Sequence, residues 1–308
     1  MLRYRLLSAA ALLALVAGCL WLDWHAIAGL RGGVWLLPLL LFFATGTAWE
    51  MANMLAQAQY PIRVPVAVCG ATLTAACAAI PMLWELGSEP YPPNCPVGRL
   101  GWLVIGAIAS VGLAFLAEMI HFQPGKVGCA SRIAHGSLVV AYVGLPLAML
   151  VVIRDLGSEP RWGIAALVTL IAVTKSSDAG AYFVGKAVGR HKLIPRLSPG
   201  KTWEGGVGGV LTSILVAFVC CQWLIPAVSG SAGQPAPWWG PIVLGASCAI
   251  SGMFGDLAES LVKRDTGVKD SGRLLPGLGG VWDVTDSLIG ASLPGFLCFV
   301  AGTTGGIP

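Results

Sequence analysis

The sequence predicts an all-α membrane protein, a polytopic bundle of about nine transmembrane helices with its N-terminus in the cytoplasm. Three observations predict it. Of 308 residues, 56% are hydrophobic and only 11% are charged, where a soluble domain carries about a quarter charged. Apolar runs near the ~20 residues needed to cross a bilayer recur along the whole chain. Lys and Arg are also unevenly placed: with the N-terminus inside, 14 of the 19 fall in cytoplasmic connections, as the positive-inside rule requires. The net charge of +4 follows from that rule and is no sign of a nucleic-acid partner.

The nine apolar segments lie near 6–22, 34–47, 64–83, 101–120, 133–153, 162–183, 207–225, 238–257 and 281–301. The first is ambiguous. Arg3 and Arg5 ahead of an apolar run, with Val16-Ala17-Gly18-Cys19 after it, resemble a processed leader. The eight spans that follow favour a retained first helix. Nine cysteines without a C-x-x-C pair and four dispersed histidines suggest neither a zinc site nor a disulfide framework. No transit peptide or retention signal is visible, so a bacterial plasma membrane is the simplest location.

The chain divides into an N-terminal transmembrane region, 1–160, and a C-terminal catalytic region, 161–308, with cytoplasmic loops at 186–204 and 259–280. Spans of the first region are poor in polar residues, Glu118 and His121 being the exceptions, and their task is to build the fold and meet lipid. Spans of the second are interrupted by Thr174-Lys175-Ser176-Ser177-Asp178. Polar interruptions survive in a membrane only where they are buried in protein or line a cavity. Lys175 and Asp178, three residues apart, can neutralise each other on one helix face. That spacing fits a helix lock as well as a functional site.

The loop 186–204 holds five basic residues and one acidic. Ordinary positive-inside charge explains most of them. Ser198-Pro199-Gly200-Lys201-Thr202-Trp203-Glu204-Gly205 differs, because a turn there delivers a lysine and a hydroxyl to a helix start, a natural anion site. The Gly-Lys-Thr within it mimics a P-loop, but the first glycine of that motif is replaced by Pro195 and no strand precedes it. A P-loop NTPase is excluded.

The densest signal is Gly255–Asp286, with six acidic and four basic residues between two apolar spans. Charge at a bilayer edge is costly and marks function. Asp256, Glu259, Ser260 and Lys263 share one helix face, and Asp283, Asp286 and Ser287 share another at the start of the last span. Carboxylates suit a hard cation such as Mg²⁺, which shares phosphate oxygens, while Lys263, Arg264 and Lys269 neutralise phosphates directly. Both signs together point to a metal–phosphate site and to metal-assisted phosphoryl or nucleotidyl transfer. The competing reading is a salt-bridged loop that caps two helices.

Three ordered stretches carry a resemblance. Ser260-Leu261-Val262-Lys263-Arg264 through Lys269-Asp270-Ser271-Gly272, Gly279-Gly280 and Asp283 to Asp286 resembles the signature of the phosphatidate cytidylyltransferases, or CDP-diacylglycerol synthases. Asp178-Ala179-Gly180-Ala181-Tyr182 and the stretch from Ser198 to Gly205 resemble two further motifs of that family. The resemblance covers roughly 174–287. It implies attack of the phosphate of phosphatidic acid on CTP, giving CDP-diacylglycerol and pyrophosphate for phospholipid synthesis.

By resemblance, Asp256, Asp283 and Lys263 are catalytic, and Asp256 and Asp283 hold divalent metal with Asp286 in support. Asp178, Lys201, Arg264, Lys269 and Asp286 bind substrate. The resemblance further implies Mg²⁺, with K⁺ accompanying it, and a homodimer. Two positions depart from the family: Leu278 stands where it has His, and Val284 where it has Arg. These keep open another lipid acceptor of isoprenoid type, by cytidylyl or phosphoryl transfer, and a non-catalytic relative. Intramembrane charges alone would also allow an ion path, though no internal repeat supports a transporter.

Overall fold

Helices account for nearly all of the regular structure among the described residues, and the apolar segments fall on single helices or on consecutive ones. In a computed structural model, residues 2–25, 33–87, 89–157, 160–229, 236–268, 270–272, 274–275, 277 and 279–307 are described. Among them, seven helices are long and apolar enough to cross a membrane, and an eighth span results if a pair bent by 53° is counted as one. The first segment, Ser8–Trp24, is shorter. Expected positions Lys269 and Leu278 lie outside the described residues.

The chain forms two compact units. One comprises Met1–Asp155 with Asp265–Thr285, the other Leu156–Arg264 with Asp286–Pro308. The segment 265–285 belongs to the same unit as the N-terminal helices.

The N-terminal unit contains α1 (Leu2–Trp24), α2 (Leu37–Gln57), α3 (Val64–Ala78), α4 (Ile80–Trp84), α5 (Gly98–Ile120), α6 (Cys129–Val139) and α7 (Leu145–Arg154). A π-helical turn, Val140–Gly144, joins α6 to α7. Small residues let these helices approach, since in lipid the drive is packing rather than apolar burial. A Cβ on Gly106 of α5 would lie 3.0 Å from the Thr74 Cα of α3, and one on Gly144 would lie 3.0 Å from the Ala71 Cα. The Ser110 hydroxyl donates to the Gly70 carbonyl at 2.7 Å across the same seam.

Arg154, the last residue of α7, is buried and pairs with Asp23 through Nη2 at 2.5 Å and Nε at 2.8 Å. Asp23 also accepts the Gly33 N–H at 2.5 Å. A charge this deep persists only with a partner, and removing one member of such a pair costs about 3–5 kcal/mol. At the other end of the unit, Tyr60 donates to Asp265 at 2.6 Å, and that carboxylate holds the phenol above its usual range.

The C-terminal unit contains α8 (Pro160–Val188), β1 (Lys192–Ile194), β2 (Ser198–Thr202), α9 (Trp203–Val219), α10 (Ile225–Ser229), α11 (Gly240–Asp265) and most of α12 (Val281–Val300). The loop expected at 186–204 carries an antiparallel hairpin, with Lys192 opposite Thr202 and Ile194 opposite Ser198. A short strand therefore does precede Gly200-Lys201-Thr202, contrary to the sequence expectation, while Pro195 still stands where a P-loop has its first glycine. Glycines pack these helices closely. A Cβ on Gly209 of α9 would meet the Ser177 carbonyl at 2.9 Å, and one on Gly205 would meet the Ala181 carbonyl at 2.8 Å. On α11, a Cβ on Gly255 would stand 2.2 Å from the Asp286 carbonyl of α12. Only glycine permits that approach, and it sets the acidic face of α11 beside the start of α12.

Candidate active site

Close packing at Gly255 brings three carboxylates together in the C-terminal unit. One oxygen each of Asp256, Glu259 and Asp286 lies within 4.8 Å of the others. Glu259 and Asp286 are buried and Asp256 partly so. The spacing of Asp256 and Glu259 gives them one face of α11. Sequence spacing puts Glu259 on that face but does not number it among the ligands; its 2% exposure is the part that sequence does not reveal.

Each carboxylate faces a lysine. Lys201 Nζ stands 2.8 Å from Asp256 Oδ2, Lys263 Nζ 2.9 Å from Glu259 Oε1, and Lys175 Nζ 3.7 Å from Asp286 Oδ1. Lys175 also lies 3.4 Å from Asp178 Oδ2, the pairing anticipated from their spacing, and donates to Ser287 Oγ at 2.7 Å. The Ser287 hydroxyl donates in turn to Asp178 at 2.9 Å. Three acids and three lysines balance in charge, and Asp178 adds one negative charge. This balance is held by flexible side chains that can be redirected to an anionic ligand.

Beside the cluster lies a cavity of about 390 Å³ whose walls include Asp178, Tyr182, Lys201, Thr202, Met253 and Asp256. The hairpin and helix start shape one side. Thr202 caps α9 by accepting the Gly205 N–H at 3.1 Å. Glu204 accepts the Arg190 N–H at 3.1 Å and pairs with His191 Nδ1 at 2.6 Å, which fixes the loop before the hairpin. Lys201 is steered by the Met253 carbonyl at 3.2 Å as well as by Asp256. Arg264, expected on phosphate, reaches the Leu197 carbonyl of the hairpin with Nε at 3.4 Å.

Asp283 belongs to a different arrangement, in the N-terminal unit. Its Oδ2 accepts the Gly280 N–H at 2.6 Å and the Ser271 hydroxyl at 2.9 Å. At the third position of α12, it caps the helix that carries it. Ser271 also donates to Glu50 Oε2 at 3.1 Å, and the same oxygen accepts the Trp282 N–H at 2.9 Å. Glu50 is 1% exposed, within α2. Gly280 is indispensable to this packing, because a Cβ there would stand 2.0 Å from Ser271 Oγ and 2.4 Å from Glu50 Oε2.

Glu50 is a residue that sequence reasoning misses. A signal for it exists: it is the one charged side chain of an otherwise apolar 21-residue helix, and an intramembrane acid is a functional candidate. Its partners are 221 and 232 positions away, so nothing local announces them.

The donor set fits a hard divalent cation, since three convergent carboxylates offer oxygen ligands only. Ser271 shares its one hydroxyl proton between Glu50 and Asp283.

Comparison with known proteins agrees with this chemistry. The family model described as Cytidylyltransferase family matches residues 3–301. A phosphatidate cytidylyltransferase of Haemophilus influenzae is 34% identical over 206 residues, 65% of this chain and 69% of that protein. One of Brucella suis is 44% identical over 151 residues, 49% of this chain and 52% of that protein. One of Bacillus subtilis is 35% identical over 153 residues, 50% of this chain and 53% of that protein. The chain thus spans about half the length of the last two. With a match that runs nearly end to end and a Haemophilus relative covered over two thirds of its length, the chain belongs to the cytidylyltransferase family.

Proposed function

We propose that this protein transfers the cytidylyl group of CTP to phosphatidic acid in a bacterial inner membrane, with the site facing the cytoplasm. The observation that carries this reading is the group of Asp256, Glu259 and Asp286, each opposed by a lysine and set beside a cavity walled by Asp178 and Lys201. Asp256 and Asp286 hold the divalent metal, with Glu259 beside them, and the family resemblance adds Asp283. Bound Mg²⁺ would neutralise triphosphate charge and polarise the α-phosphorus. K⁺ as a companion ion and a homodimeric state are further parts of the proposal, drawn from the resemblance.

The residues divide the work by charge. With the carboxylates engaged by metal, Lys201 and Lys263 turn to phosphate oxygens. Lys175 stays near Ser287 and Asp178, holding Asp178 in the cavity wall. Asp178 and Thr202 offer polar atoms to the nucleoside. A phosphate oxygen of the lipid attacks the α-phosphorus, the bond from that phosphorus to the bridging oxygen breaks, and pyrophosphate leaves. The nucleophile is already anionic at neutral pH, so the chain need not supply a general base. Its contributions are alignment and charge.

The test is pyrophosphate release by purified protein in mixed micelles, with CTP, phosphatidic acid and Mg²⁺ each omitted in turn. Release that needs all three supports the proposal. Release with an isoprenoid phosphate in place of phosphatidic acid would move the acceptor. Silence from folded protein with every lipid acceptor would sink the enzymatic reading.

A further inference from the structure

The end of α5 and the start of α6, in the N-terminal unit, carry two adjoining cavities that the reaction does not use. One, of about 670 Å³, is walled by Arg63, His121, Gln123, Lys126 and Arg132. The other, of about 620 Å³, is walled by Phe115, Met119, Phe122, Ile133 and Ala134, with Glu118 at its edge. Cys129 lines both. The first is basic and the second apolar.

Glu118 organises the basic cavity. It accepts two bonds from Arg132 Nε, at 2.9 and 3.0 Å, and one from Nη2 at 2.7 Å, and it pairs with Arg63 through Nε. One carboxylate therefore orients two guanidinium groups and cancels one of their two charges. Among the described residues, the terminal nitrogens of Arg63 make no hydrogen bond, and a guanidinium fork matches phosphate. Lys126 is exposed on the same cavity. The balance is two net positive charges, with the His121 ring at the rim.

Position adds what charge alone does not. Residues 121–128 connect two helices long and apolar enough to span, Gly98–Ile120 and Cys129–Arg154, so the basic cavity sits at a span end, at the level of lipid phosphates. Phe115 lies five residues before Ile120, about 7.5 Å deeper along the helix, where acyl chains begin. Phe115, Met119 and Phe122 are more than half exposed.

We infer that the paired cavities bind one anionic glycerophospholipid, its phosphate among Arg63, Lys126 and Arg132 and one acyl chain against Phe115, Met119 and Ile133. Basic pockets between helices at a membrane face suit such head groups. The inference stands apart from the proposed reaction, because it concerns binding without CTP.

Native mass spectrometry of the full chain in neutral detergent tests it. The probes are dioctanoyl phosphatidylglycerol, dioctanoyl phosphatidylcholine and inorganic phosphate. Phosphatidylglycerol is expected to be retained at a concentration about tenfold or more below that of phosphatidylcholine. Lys126→Gln, which leaves the Glu118 pairs intact, is expected to weaken retention about fivefold, the weight of one basic residue near a lipid surface. Ala134→Trp, which fills the apolar cavity, is expected to abolish lipid retention in a chain that still elutes as folded protein. Equal retention of both lipids, or wild-type retention in both variants, overturns the inference. Inorganic phosphate that competes as well as phosphatidylglycerol assigns a free-anion site and overturns it too.

Discussion

The carboxylates of the C-terminal unit and those of the N-terminal unit are neutralised in different ways. Asp256, Glu259 and Asp286 face the ammonium groups of Lys201, Lys263 and Lys175. Glu50 and Asp283 face backbone N–H groups and one serine hydroxyl. A lysine on a flexible stem can leave one anion for another, so the first set can exchange partners when ligand arrives. A backbone N–H cannot move without moving its helix, so the second set fixes geometry. In the proposed reaction, charge is the working property of the first group, while the second works here by hydrogen-bond acceptance.

Substitutions by amide isosteres separate these properties. The largest expected effect is at the C-terminal cluster: Asp256→Asn and Asp286→Asn should each lower CTP-dependent pyrophosphate release by about a hundred- to a thousandfold, the scale of a lost preorganised electrostatic group. Full activity in either would remove that residue from the metal set. Asp283→Asn keeps an acceptor oxygen for the Gly280 N–H and removes only charge. A comparable loss of turnover with unchanged thermal stability would place Asp283 on the cation, whereas unchanged turnover would leave it as a cap.

Glu50→Gln should be mild, because an amide oxygen still accepts the Trp282 N–H. Glu50→Ala leaves that N–H buried without its acceptor while Ser271 keeps Asp283, at a cost of about 1–3 kcal/mol, visible as a lower melting temperature. A Glu50→Gln protein as damaged as the alanine variant would show that charge matters in this group as well. Lys201→Ala should raise the KM for CTP roughly tenfold or more, since a charged contact contributes about 1.5–3 kcal/mol. If only kcat falls, Lys201 acts later than nucleotide binding. The smallest effect is at Thr202→Ala, about 1 kcal/mol of stability from the lost helix cap, measured by thermal melting.

Much of this contrast is legible in the residues and their spacing. Periodic apolar runs place the helices, because a span must satisfy its own backbone and so advertises its length. The i,i+3 spacing of Lys175 and Asp178 foretells their pairing, and the spacing of Asp256 and Glu259 foretells a shared face. What stays hidden depends on distant partners. Nothing near Arg154 announces Asp23, 131 positions earlier. Glu50 reads as a stray acid until Ser271 and Trp282 arrive. The role of Gly205 and Gly209 in the close approach of two helices is likewise not local. The assignment of 265–285 to the N-terminal unit is hidden for the same reason, since no property of that segment names α2 as its support.

The clasp at Glu50 has a consequence for how the protein is made. Its acceptor oxygen waits for Ser271, 221 residues later in the chain. At the ~5–20 residues per second of synthesis, Glu50 spends on the order of 10–40 s in the insertion machinery before its hydrogen-bond donors exist. During that interval an acid sits in an apolar helix without its native partners. The N-terminal unit therefore cannot mature as a free-standing nascent domain, and chains truncated before residue 271 should be substrates for membrane quality control.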